Sequence, residues 1–96
     1  MDIRKFLPWS DYVKLALSYA VFTQNEDSSW TVEIPVLPGC VTWGGTRAEA
    51  ALMAEDAVHG WLVTAIRFGD DVPPIEGYSL ANVDDQVAKE ATSQIL

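Results

Sequence analysis

With 96 residues, 49% of them hydrophobic, the chain can bury one modest core, and it has no apolar run near the ~20 residues of a membrane-spanning helix. Its net charge is −8, and from Leu15 onward three basic residues (Arg47, Arg67 and Lys89) stand against twelve acidic ones, a field that repels phosphate backbones and attracts basic proteins. A lone cysteine, Cys40, excludes an internal disulfide and, with a single histidine, a Cys/His zinc site.

In chain order, Met1–Pro8 carries two basic residues but neither an apolar h-region nor a small-residue cleavage site, so the expected location is the cytoplasm. Ser10–Leu17 is expected to form a short helix capped by Ser10, with Tyr12, Leu15 and Ala16 at helical spacing; a longer first strand is the alternative. Tyr19–Gln24 and Trp30–Ile34 are rich in aromatic and β-branched residues and flank the polar loop Asn25–Ser29, which predicts a hairpin. An unpaired edge at either run would favour self-association.

The next segment is the most specific. After Pro35, Pro38 fixes φ and Gly39 supplies the positive φ of a type II turn, so the chain reverses into a strand over Cys40–Gly44. Gly44 and Gly45 then release the backbone, Thr46 caps a helix, and Glu49 is expected to reach back to the cap's own N–H, as in a capping box. The helix should run from Arg47 to Phe68 and stop at Gly69, before Asp70-Asp71 and Pro73-Pro74. At about 100° per residue, Ala50, Ala54, Ala57, Val58, Trp61, Ala65 and Phe68 form its core stripe. Glu49, Leu52, Glu55, Asp56, His59, Val63 and Ile66 lie opposite, and their large apolar members require cover from the N-terminal helix, the C-terminal segment or a partner. Tyr78–Leu80 is a candidate edge strand, and Asn82–Asp85 a candidate cap of a weak helix.

In order and spacing, these pieces resemble the HicB family of antitoxins from type II toxin–antitoxin pairs, over roughly Ser10 to Leu80. Ser28-Ser29 replaces the family's usual Asp-Gly-type turn, and Val36 stands where an acidic residue is frequent. The resemblance implies a single α+β domain over 1–96, with a HicB-like core over 10–80 and a tail or short helix over 81–96. The fold would be a three-stranded antiparallel meander packed on one long helix, with a short N-terminal helix and a fourth edge strand, a partial RNase H-like arrangement. It further implies an antitoxin that masks a small, basic, mRNA-cleaving HicA-like toxin, and a homo-oligomer. Many family members append a DNA-binding domain; the 21 residues after Ile75 are too few for a complete one, although a tail could still fold in a dimer, so operator binding is not carried over and, with the acidic field, no direct nucleic-acid binding is expected.

The competing readings are weaker. A two-metal nuclease needs several converging carboxylates, and Glu33 is the only acidic residue inside a predicted strand. The Gly44-Gly45-Thr46 helix start lacks the lysine and glycine spacing of a phosphate loop, and Glu49 competes for the same N–H groups. His59 has no catalytic neighbours in sequence. No enzyme activity, cofactor or metal is therefore expected. The expected partner surface is Glu49, Leu52, Glu55, Asp56, His59, Val63 and Ile66, with Pro35, Pro38, Gly39, Gly45 and Thr46 as structural determinants. A stand-alone, self-associating HicB-like scaffold is the alternative.

Overall fold

A computed structural model describes residues 5–81. The element order is β1 (Lys5–Leu7), α1 (Trp9–Leu17), β2 (Val21–Gln24), β3 (Trp30–Glu33), β4 (Val41–Gly44), α2 (Arg47–Arg67) and β5 (Tyr78–Leu80). The alternating, β-branched runs pair as the antiparallel meander β2-β3-β4, with Phe22, Val32 and Thr42 in register on one face and Val21, Glu33 and Val41 on the other. Helix α2 packs on the first face against β3 and β4, and α1 packs on α2. The fold class is α+β, as the sequence predicts. The candidate edge strand forms, but it joins no meander strand; β5 pairs in parallel with β1, a strand the local sequence does not announce.

Turn chemistry accounts for the connections. The Cys40 N–H donates to the Leu37 carbonyl (3.0 Å) across Pro38-Gly39, with Gly39 at φ +80. At the hairpin tip Ser28, a residue with a Cβ, takes φ +73, the conformation a glycine-type turn supplies without strain. Helix α2 starts as expected: Thr46 Oγ1 accepts from the Glu49 N–H (3.0 Å). The reciprocal bond differs, because Glu49 Oε1 accepts from the Gly45 N–H (3.3 Å), one residue before the cap. At the other end, Gly69 at φ +72 closes a Schellman motif in which the Asp70 N–H donates to Ala65 O (2.8 Å) and the Gly69 N–H to Ile66 O (3.2 Å). Helix α1 begins at Trp9 after Pro8 with no side-chain cap, so Ser10 lies inside the helix and does not cap it.

The core joins Tyr12, Val13 and Ala16 of α1, Val32 and Ile34, Leu37 and Cys40 of the turn, Ala50, Ala54, Val58 and Leu62 of α2, and Ile75 and Leu80. Gly44 makes the sheet's close approach to α2 possible: a Cβ there would lie 2.4 Å from Ala50 N. Two features of the predicted stripe change. Phe68, at the C-cap and about 80° round the helix from Val58, is 77% exposed, and Leu62, four residues after Val58, is fully buried in its stead. The possibility of an edge at Trp30–Ile34 also falls, because β3 is central and β2 and β4 are the edges. The candidate cap at Asn82–Asp85 lies outside the described residues.

Candidate partner-binding surface

The structure divides the seven residues proposed from sequence. Glu49, Leu52, Glu55 and Asp56 are exposed on the first half of α2, and Leu52 is 68% exposed beside Met53 at 41%. His59, Val63 and Ile66 are half-buried. Helix α1 supplies part of the cover that the sequence required: the Trp9 indole N–H donates to His59 Nδ1 (2.8 Å), and the two rings stack with centroids 6.0 Å apart. That bond places the proton of neutral His59 on Nε2 and gives the ring a packing role, while Ile66 packs against the core. The strip that the described residues leave uncovered is thus acidic with an apolar centre at Leu52.

Beside the strip, a groove of about 580 Å³ runs between the Pro38–Val41 turn and α2, lined on the helix by Ala57, Gly60, Trp61, Thr64 and Ala65 and at one end by Asp70 and Asp71. The Trp61 indole N–H donates to the Pro38 carbonyl (2.8 Å), which pins the turn to the helix and fixes one wall. Cys40 is buried at the groove, and burial pushes its thiol pKa up, so the thiolate that would make it a nucleophile or metal ligand is disfavoured. Among the described residues no group of three or more His, Cys, Asp or Glu side chains is arranged to hold a metal ion. Nor is any helix among them long and apolar enough to cross a membrane.

A third feature was missed in the sequence. The sheet face turned away from α2 leaves Val21 (52%), Val41 (53%) and Trp43 (63%) exposed around Glu33, with Tyr19 (39%) beside β2. The period-two alternation of the three strands carried the signal, since Val21, Glu33 and Val41 share a register position on the outer face. The basic residue at the start of α2 is turned to the sheet: the Arg47 guanidinium lies 4.3 Å from the centroid of the Phe22 ring.

The profile of a family described as a HicB-like antitoxin of a bacterial toxin–antitoxin system matches residues 19–94, more than three-quarters of the chain. The chain belongs to the HicB-like antitoxin family. The match extends beyond the Leu80 boundary read from sequence. Among curated relatives, UPF0150 protein Ta0767 of Thermoplasma acidophilum is 30% identical over 53 residues, spanning 55% of this chain and 77% of that protein. Antitoxin HicB 2 of Photorhabdus laumondii is 40% identical over 52 residues, which cover 54% of this chain but only 34% of the relative. The crystal structure of TTHA0281 from Thermus thermophilus superposes with a TM-score of 0.62 at 27% identity, covering 71% of this chain and 86% of that one. The family profile and the HicB-named relative agree on the family, and the Thermus thermophilus structure on the fold.

Proposed function

We propose that this HicB-like protein is a cytoplasmic, non-enzymatic antitoxin that binds a small basic HicA-like toxin and masks its RNA-binding surface. The observation that carries the reading is the exposed strip on α2, where Glu49, Glu55 and Asp56 surround Leu52 in a chain of net charge −8. Carboxylates there meet toxin Lys and Arg side chains in place of RNA phosphates, and Leu52 with Met53 seals the centre of the contact. Inhibition is steric and electrostatic, and needs no chemistry from the antitoxin. Changing Glu49 and Glu55 to Gln and Asp56 to Asn should weaken toxin binding about tenfold at low salt and flatten its salt dependence in titration calorimetry. Unchanged affinity at low salt would remove this strip from the interface.

A second reading, self-association as a scaffold, is favoured by the outer sheet face at Val21, Val41 and Trp43 and by β2, whose outer edge pairs with no strand among the described residues. Substituting Trp43→Lys and following the oligomeric state by sedimentation separates it from the first, since toxin binding by the α2 strip survives that change.

A further inference from the structure

Gly60 sits in the interior of a 21-residue helix, at a position that nothing among the described residues explains. Glycine there costs about 1 kcal/mol of helix stability relative to alanine. Its φ is not positive, and a Cβ built on it meets no heavy atom within 4 Å, so neither backbone strain nor crowding calls for a bare α-carbon. What the missing side chain leaves is the open floor of the groove between α2 and the Pro38–Val41 turn. The volume, about 580 Å³, falls in the range of sites that take a small ligand or a few side chains. Its walls are the Trp61 ring, Ala57, Ala65 and Cys40, and its end carries Asp70 and Asp71. At about 100° per residue, Gly60 projects within roughly 40° of Asp56, so the groove opens onto the acidic strip.

We propose that this groove is a docking slot for a basic, extended segment of the toxin, in which an arginine lays its alkyl stem along Gly60 and Trp61 and sets its guanidinium against Asp70 and Asp71. The inference rests on the antitoxin reading for the identity of the partner. The chemistry comes from the groove: apolar and aromatic walls suit an alkyl stem and a planar cation, and the two carboxylates in its lining select a positive head. A single shape thus reads both the length and the charge of the incoming side chain, which the flat strip at Leu52 does not do.

The variant that tests it is Gly60→Leu, which fills the slot and places a better helix former at an exposed, uncrowded position; its Tm should equal or exceed that of the wild type. Two titrations follow. With a small basic HicA-like toxin, Gly60→Leu should weaken binding at least about tenfold while Asp56→Asn alone has a smaller effect. With the peptide Ac-Leu-Arg-Leu-Arg-Leu-NH2, NMR should show shifts at the Gly60 amide, the Trp61 indole and the Asp70 and Asp71 amides, lost in Gly60→Leu and in the Asp70→Asn/Asp71→Asn pair. Wild-type and Gly60→Leu proteins that bind the toxin equally would overturn the slot and leave the antitoxin reading intact. A chain that ignores the toxin defeats the antitoxin reading, and the peptide then decides the slot alone: absence of shifts at millimolar peptide overturns it. Shifts at the same residues that track protein concentration without peptide would assign the groove to a second copy and overturn it as well.

Discussion

Adding one methyl group at Gly44 should separate the sheet from its helix. A Cβ at this position lies 2.4 Å from Ala50 N, 2.8 Å from Ala50 Cα and 2.9 Å from the Glu49 carbonyl carbon, whereas ordinary van der Waals contact begins at 3.4 Å. All three neighbours are backbone atoms of the first turn of α2, so no rotamer change relieves the overlap; β4 and the helix must move apart by about 1 Å, the gap between 2.4 and 3.4 Å. That movement loosens the contacts of Ala50 and Ala54, both buried, and strains the Thr46 cap. Overpacking of a core costs about 1–3 kcal/mol and at times more, and a clash between two stretches of main chain belongs at the top of that range. Gly44→Ala should therefore lose about 3 kcal/mol of the roughly 5–15 kcal/mol that a domain of this kind has, a fall in Tm of roughly 12–24 °C. The internal control is Gly45→Ala, where the added Cβ meets only the flexible Glu49 carboxylate at 3.8 Å and φ is not positive; it should change stability by less than about 1 kcal/mol. Urea denaturation followed by tryptophan fluorescence reads both as shifts in midpoint at constant slope. A Gly44→Ala protein as stable as Gly45→Ala would refute the close-approach argument.

Ser28→Gly should stabilise the protein by about 0.5–1 kcal/mol, because it relieves the positive φ of a residue with a Cβ, whereas Ser29→Gly should not, since Ser29 Oγ donates to Asp27 Oδ1 (2.6 Å) and accepts from Asn25 Nδ2 (3.0 Å); equal effects in thermal melts would contradict this. Burial pushes the Tyr12 phenol, which donates to the Pro73 carbonyl, up to about 12 from 10.0. The native state then keeps a proton that the unfolded chain releases, so the stability tied to Tyr12 is full below pH 10 and declines as the pH rises toward 12, by up to about 1.4 kcal/mol per unit. Tyr12→Phe should cost about 1 kcal/mol near neutral pH through the lost hydrogen bond and flatten the alkaline decline; urea titrations across that window with unchanged slope would argue against it.

What could be read in the sequence was local. The Pro38-Gly39 reversal, the Thr46 cap and the Gly69 stop are each decided by a few adjacent residues with strong backbone preferences, and the structure has all three. Phe68 was misplaced because a helical wheel gives direction but not what lies opposite, and at the last turn of α2, on the margin of the stripe, it is left exposed; Leu62 was passed over in favour of the alanine and tryptophan stripe. Strand β1 was invisible: three residues pair with a partner some seventy positions away, and no local pattern encodes that. The candidate surface divides in the same way. Charge and periodicity suffice to place Glu49, Leu52, Glu55 and Asp56 on the exposed face of α2, whereas the Trp9 cover over His59 and the groove over Gly60 arise from segments distant in sequence, so only the fold reveals them.

The measurement that bears most directly on the antitoxin account is co-expression of this chain with the product of whichever short basic reading frame adjoins its gene, scored by growth and by co-purification. The account predicts that the basic protein alone arrests growth, that this chain restores it, and that the two elute as one complex. Arrest that persists in the presence of well-expressed, folded antitoxin, with no complex recovered, would contradict it.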